Sequence, residues 1–208
     1  MTKPAPPVPP VPASPTLPRL RASVQECRAC ELWRDATQAV LGEGPVSARL
    51  MLVGETPGDR EDLAGKVFVG PAGRVLDRAL EEVGVDRTEA YLTNAVKHFR
   101  YRSRGKRRIH QTPEASQIAA CRPWVEAELA VVRPRVLVCL GAVAARSLLG
   151  RDVRVTRDRG REIESDLANH VLVTVHPSSL LRAPDSEARH AAYAAFVHDL
   201  RAAVGLLD

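Results

Sequence analysis

The basic segment at residues 104–110 carries the side chains with the clearest chemical potential in this 208-residue chain. It lies in a window that has no carboxylate between Glu89 and Glu114 but contains seven lysine or arginine side chains. Such a window gains free energy by releasing counterions from nucleic-acid phosphates. The segment ends in His110, whose imidazole is largely unprotonated at neutral pH and can act as a base or nucleophile. The pattern therefore predicts a phosphate-binding loop with a reactive group, although a solvated loop is the plain alternative.

The four cysteines suggest a metal centre. Cys27 and Cys30 form a C-x-x-C pair, whereas Cys121 and Cys139 stand alone on a predicted helix and a predicted buried strand. Zinc usually takes two closely spaced pairs, and iron–sulfur clusters accept more scattered ligands. Spacing alone leaves three interpretations open, namely a cluster, a zinc site, or a redox pair with two buried cysteines.

Strand and helix patterns alternate along the chain. Short apolar runs, typical of buried parallel strands, lie at residues 49–53, 90–94, 136–140 and 171–175. Helical patterns lie between and after them, at residues 72–83, from a start at Thr112 and Pro113, at residues 142–149 and at residues 186–204. We expect an α/β fold, a three-layer α/β/α sandwich around a short, mainly parallel four-stranded sheet. Ligands should bind at the carboxyl ends of its strands.

Composition defines one folded domain and its class of partner. Half of the 16 prolines fall within residues 1–18, so residues 1–20 are expected to form a disordered tail and residues 21–208 the domain. The net charge of +5 favours an acidic partner, and its local concentration favours nucleic acid over a membrane. Because the apolar runs are too short to span a bilayer and the proline-rich start does not fit a signal peptide, we expect a cytoplasmic protein.

Two glycine-containing segments occupy predicted strand-to-helix turns. Residues 54–62 follow the first strand, and residues 68–73 begin the next helix. Glycines there let backbone amides approach a ligand closely, but a plain turn with a helix cap would use them equally well. The spacing matches neither the dinucleotide-binding motif nor the P-loop.

These motifs together resemble the uracil-DNA glycosylase superfamily, and most closely its iron–sulfur family 4. The resemblance covers most of residues 24–204 and rests on Gly-Glu-x-Pro-Gly from Gly54, Phe-Val-Gly-Pro-Ala-Gly from Phe68, residues 93–97, His-Pro-Ser-Ser from His176, and the four cysteines. Within the superfamily, Lys-His-Phe at residues 97–99 and the insert ending at His110 resemble the UdgX branch. Members of that branch become covalently attached to uracil-containing DNA.

The resemblance implies a cofactor. It places a [4Fe–4S] cluster on Cys27, Cys30, Cys121 and Cys139, with a structural role in which it anchors the amino-terminal segment to the sheet.

The resemblance also implies a pocket for a uracil flipped out of DNA. The amide of Asn94 would pair with uracil O4 and N3–H, and the ring of Phe68 would stack on the base. The remaining pocket residues would be Gly54, Thr56 and Asp59. UdgX sequences commonly have glutamine where this chain has Thr56.

Further residues would act on the bond to be cleaved. His176 would donate a hydrogen bond to uracil O2 as negative charge grows there. Glu55 would support the positively charged sugar or orient the attacking group, and His110 would attack the sugar C1′. The residues expected to contact DNA are Lys106, Arg107, Arg108 and Ser178.

Three functions follow as hypotheses from the sequence. The first is uracil excision followed by covalent attachment through His110. The second is a turnover family 4 glycosylase that releases a free abasic site. The third is a non-catalytic iron–sulfur protein that only binds DNA. The expected partner is uracil-containing DNA, preferably single-stranded, and the expected state is a monomer.

Overall fold

A four-stranded parallel sheet forms the centre of the computed structural model, which describes residues 9–207. Its strands stand in the order β2-β1-β5-β6, with bounds β1 Leu50–Gly54, β2 Tyr91–Asn94, β5 Val136–Leu140 and β6 His170–Thr174. Parallel strands that are covered on both faces read as continuous apolar runs, which is why the sequence reveals all four. The predicted α/β sandwich with a four-stranded parallel sheet is confirmed.

Helices cover both faces of the sheet. Met51 and Val53 of β1 face one apolar layer, and Leu50 and Leu52 face the other, because successive side chains of a strand point to opposite sides. The first layer contains α1 Leu17–Ser23, α4 Ala115–Val132 and α5 Ala142–Leu149. The second contains α3 Pro71–Glu82 and α8 Ser186–Val204. Short helices complete the fold at α2 Asp59–Ala64, α6 Val155–Asp158 and α7 Pro177–Leu180.

The start of α4 differs from the prediction. Glu114, rather than Thr112, caps this helix, and Pro113 lies outside it. The Glu114 carboxylate accepts the Gln117 backbone N–H, and the Gln117 side chain accepts the Glu114 N–H at 2.8 Å. This reciprocal capping box satisfies two amides, whereas Thr112 has Ala115 three residues later and could not form one.

The basic segment is a β-hairpin and not the predicted loop. Strand β3, Tyr101–Arg104, pairs antiparallel with β4, Arg107–His110, and the two form a sheet of their own. Gly105 has a φ of 57° in the two-residue turn, a conformation that favours glycine. The pairing sets His110 opposite Tyr101 at the open end of the hairpin, next to the domain.

The folded region begins earlier than the predicted boundary at residue 20. Helix α1 starts at Leu17, with Thr16 as its cap and Pro18 in its first turn, and the side chain of Leu20 is fully buried. Burying this apolar side chain against the domain is more favourable than leaving it exposed to water in a disordered tail. Residues 1–8 of the predicted tail lie outside the described residues. Among residues 9–207, no helix combines the length and apolarity needed to cross a membrane.

A buried ion pair joins the end of β2 to α4. The Lys97 ammonium contacts the Glu128 carboxylate at 2.5 Å, and neither side chain is exposed. Glu128 also accepts hydrogen bonds from the Tyr91 hydroxyl, the Thr93 hydroxyl and the Gly42 amide, at 2.8 to 2.9 Å. These bonds offset the cost of removing the two charges from water.

Replacing Glu128 with glutamine should therefore destabilise the fold strongly. The substitution leaves the buried Lys97 without a compensating charge, which should lower the free energy of unfolding by about 3–5 kcal/mol. Chemical denaturation measures this change. The control is Glu126→Gln on the same helix, which breaks the exposed pair with Arg122 and should cost about 0.5 kcal/mol or less. Equal losses of unfolding free energy in the two variants would show that the buried ion pair stabilises the fold no more than the exposed pair does.

Candidate active site

A cavity of about 700 Å³ opens at the carboxyl ends of β1, β2 and β6. Glu55 follows β1, Asn94 ends β2 and His176 lies two residues after β6, so three strands direct polar side chains to one place. This is the location that parallel α/β sheets use for ligands. The lining includes predicted residues Glu55, Thr56, Asp59, Phe68, Asn94, His110, His176 and Ser178.

Gly54 lies where the predicted base-binding residues meet. A Cβ atom there would stand 2.4 Å from Asn94 Oδ1, 2.6 Å from Phe68 Cζ and 3.4 Å from His176 Nε2. The strand register explains the first contact, because Gly54 pairs with Asn94 across β1 and β2. A side chain at this position would push the three groups apart, so the residue must be glycine.

The backbone around Phe68 is also tightly constrained. Phe68 has a φ of 53°, in the left-handed region that bulky residues seldom adopt. A Cβ on Gly73 would lie 1.8 Å from the Phe68 carbonyl oxygen, so only glycine fits in this turn of α3. The constraint places the Phe68 ring near that of His176, with centroids 6.1 Å apart and planes 26° apart. Local backbone strain of this kind is typical of functional sites.

The imidazole of His176 is neutral and has a defined orientation. The Ser178 backbone N–H donates to Nδ1 at 3.2 Å, so the ring proton lies on Nε2, the nitrogen that faces Gly54. Burial, with the nearby His110 and Arg182, lowers the pKa of His176 to about 4. Ser178, predicted to bind DNA, also places its hydroxyl 2.9 Å from Nδ1 and so orients this histidine.

Glu55 and His110 face each other across the mouth of the cavity. Their closest atoms, Oε1 and Nε2, are 3.8 Å apart, and the His110 side chain remains 45% exposed. Burial raises the pKa of Glu55, opposed by Thr112 and Arg182. Burial and then Arg182 lower the pKa of His110, opposed by Glu61. The Glu55 Oε1 atom is buried and has no hydrogen-bond partner within residues 9–207, so it is available to a substrate or to water.

Two predicted pocket residues also have internal partners. The Thr56 hydroxyl donates to the His98 carbonyl at 2.8 Å, and Asp59 accepts from Arg108 at 2.6 Å. The amide of Gly70, in one of the glycine turns, donates to the Glu61 carboxylate at 2.7 Å and is not free for a ligand.

Arg108 anchors the hairpin. Its guanidinium contacts Asp59 and Asp62 at 2.6 Å each, and only 20% of the side chain is exposed. It also lies 5.3 Å from the Phe99 ring centroid and 5.2 Å from that of Tyr101. Two carboxylates already compensate this charge, and the predicted phosphate-binding role of Arg108 stays a prediction. Lys106 and Arg107 are exposed at the turn and retain that predicted role.

The chain is similar to known proteins along most of its length. The model of the uracil DNA glycosylase superfamily matches residues 41–201. The chain belongs to this superfamily. It is 38% identical to the type-4 uracil-DNA glycosylase of Thermotoga maritima, over 80% of this chain and 83% of the relative. It is 33% identical to the type-4 enzyme of Pyrobaculum aerophilum, over 80% and 85%, and 29% identical to the type-5 enzyme of that organism, over 77% and 74%. The predicted family 4 resemblance is confirmed, and the closeness to UdgX stays a prediction.

The cavity lining includes a cationic residue, Arg182, that the sequence analysis missed. Arg182 lines the cavity and acts on the pKa of Glu55, His110 and His176. It has no carboxylate partner within 4 Å among the described residues. The sequence did offer one signal for this residue, its position six residues after His176. Because α7 is a single helical turn, residue 182 returns to the pocket.

The structure brings together three of the four cysteines predicted as cluster ligands. Burial raises the pKa of Cys121, and the nearby Cys30 and Cys27 thiols raise it further. Burial alone raises the pKa of Cys139. The Trp124 indole donates to Cys27 Sγ at 3.3 Å, and the Lys97 amide donates to Cys121 Sγ at 3.2 Å. Donors of this kind stabilise ligand thiolates. Cys139 lies within the central strand β5, so the set of four cysteines stays a prediction. Within residues 9–207, no three His, Cys, Asp or Glu side chains are arranged to hold a single metal ion.

Arg107→Ala and Arg108→Ala should have different effects. Loss of Arg107 should weaken DNA binding and reduce the salt slope by about one, because an exposed phosphate contact is lost. Loss of Arg108 should instead release the hairpin from Asp59 and Asp62 and speed amide hydrogen exchange across residues 101–110. Salt-dependent binding and hydrogen exchange are measured on both variants. Unchanged exchange in Arg108→Ala, with a slope loss equal to that of Arg107→Ala, would restore the phosphate role of Arg108.

Proposed function

We propose that this superfamily member is a uracil-DNA glycosylase that cleaves the N-glycosidic bond of uracil and releases a free abasic site. The observation that carries this proposal is the convergence of Asn94, Phe68 and His176 on the space left by Gly54. The type-4 relatives favour this outcome, since family 4 is the class for which we expect turnover. Covalent attachment, the first hypothesis from the sequence, becomes the second candidate. Single-stranded DNA and a monomer stay predictions.

Base recognition follows from the fixed side chains. The Asn94 amide presents an acceptor and a donor, which complement the N3–H and O4 of uracil. Phe68 supplies a ring face for the extruded base. Because the glycines at positions 54 and 73 fix these groups before the base arrives, little ordering entropy remains to be lost on binding.

Bond cleavage moves the electron pair of the C1′–N1 bond onto uracil and leaves positive charge on the sugar. The Nε2–H of neutral His176 would donate to uracil O2 as this oxygen becomes negative, and it carries no charge that must first be desolvated. Glu55, when ionised, would stabilise the sugar cation through its unpartnered oxygen. Its carboxylate is also positioned to accept a proton from the attacking water.

The second candidate function is an adduct, and one contact favours it. His110 Nε2 lies at the cavity mouth, 3.8 Å from Glu55 Oε1. In this candidate, the Nε2 lone pair forms a bond to C1′ in place of water, and the ring then loses the proton from Nδ1. The lowered pKa of His110 keeps the nucleophile neutral and therefore reactive.

A denaturing gel after incubation with uracil-containing single-stranded DNA distinguishes the two outcomes. Turnover predicts free uracil and an alkali-labile abasic strand, with no slow band. An adduct predicts a band that survives SDS and heat in the parent and disappears in His110→Ser while uracil release continues. His198→Ser, at another exposed histidine, is the control and should behave like the parent. No uracil release from any strand would refute both candidates.

We further propose an iron–sulfur cluster on Cys27, Cys30 and Cys121, with His98 in place of Cys139 as the fourth ligand. His98 is buried, follows the residue whose amide contacts Cys121 Sγ, and has its pKa lowered by burial and then by Arg28, which stands between Cys27 and Cys30. A bound cluster would act structurally by joining the amino-terminal segment to β2 and α4.

Iron content tests this ligand set. Cys121→Ala and His98→Ala should lose most of the iron and the brown colour, whereas Cys139→Ala should retain both after anaerobic purification. His98→Cys should keep the iron but change the absorption spectrum, because a thiolate replaces an imidazole. Iron loss in Cys139→Ala with retention in His98→Ala would reinstate the four-cysteine set. Stoichiometric zinc without iron would exclude a cluster altogether.

A further inference from the structure

A second cavity lies directly beside the candidate active site. It measures about 270 Å³ and is formed by α3, α7 and α8. Pro71 and Leu181 line both cavities, so the two are continuous along the surface. The floor is apolar, with Val75 and Leu180, and the side chain of Leu181 is 44% exposed at the boundary.

Three arginines surround this apolar floor. Arg74 and Arg78 project from α3 and Arg189 from α8, and all three are exposed. Among residues 9–207, none of them has a carboxylate within 4 Å. Their charges are therefore available to an anionic partner, and Arg182 extends the same charge into the active-site cavity.

An aromatic ring lies against one of these arginines. The hydroxyl of Tyr193 donates to Glu82 at 3.0 Å, and the guanidinium of Arg78 lies 4.8 Å from the ring centroid. The ring is thus fixed at its hydroxyl end. Aromatic rings beside unpaired arginines are the combination that binds single-stranded nucleic acid, through base stacking and phosphate contacts.

We propose that this second cavity binds a nucleotide next to the uracil in a single strand, with the base on the floor beside Tyr193 and the flanking phosphates on Arg74 and Arg189. The inference rests on the proposed function, because its position is defined relative to the flipped uracil. Charge complementarity and continuity with the active-site cavity identify the occupant. Since every base has an apolar face, this subsite should accept any base.

The test compares Arg74→Glu/Arg189→Glu with a control of equal charge change, Arg151→Glu/Arg201→Glu. Both control arginines are exposed, and within residues 9–207 neither has a carboxylate within 4 Å. Fluorescence anisotropy measures binding to a thymine-containing strand, which requires no excision. The cavity variant should bind at least about tenfold more weakly than the control, or about 1.4 kcal/mol. Its salt slope should fall by about 1.4, because each single-strand phosphate contact contributes about 0.7.

Excision assays then test whether the weaker DNA binding arises at the second cavity. Uracil release from a long strand should slow in the cavity variant and in Tyr193→Ala, whereas release from a single deoxyuridine nucleotide, which has no neighbouring nucleotide to fill the subsite, should be unchanged. Equal binding by the cavity variant and the control would overturn the proposal, as would equal slowing on both substrates. If the parent released no uracil at all, the proposed function would fail, while the anisotropy result would still report on the subsite.

Discussion

The buried pair between Lys97 and Glu128 is the interaction on which the rest of the site depends. Lys97 also donates to the Asn94 carbonyl at 2.6 Å, and its own amide contacts the sulfur of Cys121. One residue therefore connects the predicted uracil-reading amide, a proposed cluster ligand and helix α4. If the end of β2 moved away from α4, the two buried charges would separate and each would lose its compensating partner. Because this is energetically costly, the end of β2 is fixed against α4. The rigidity of the pocket follows from this electrostatic constraint as much as from apolar packing.

The pocket favours the neutral forms of its ionisable side chains. Burial acts on Glu55, His110 and His176 in directions that disfavour their charged forms. The nearby charge of Arg182 opposes this effect for the carboxyl and reinforces it for the two imidazoles. A substrate that brings phosphates to Arg182 would weaken its field, and so would couple DNA binding to the protonation of all three residues. The site thus fits a reaction in which charge appears only as the bond breaks.

Much of the fold and part of the site could be predicted from the sequence because both follow from local patterns. The buried strands are apolar runs, and Asn94 and His176 lie at or just after strand ends, so their convergence follows from parallel topology. The hairpin escaped prediction because its exposed strands carry charge on both faces and show no alternation of apolar residues. The partners of Arg108 lie 46 and 49 residues away, at a distance that no local pattern encodes. The sequence likewise shows how many cysteines the chain has, but not which of them lie close together in the fold.

The hairpin has a consequence for how such a protein can change during evolution. Its two strands form a separate sheet, and its principal attachment to α2 is the Arg108 side chain. Insertions at the turn, or replacement of His110, would therefore leave the hydrogen bonds of the central sheet untouched. The pocket at the strand ends and the hairpin at its mouth can therefore diverge independently. A lineage could alter the residues at the cavity mouth by modest changes in this peripheral ribbon, while the pocket stays intact.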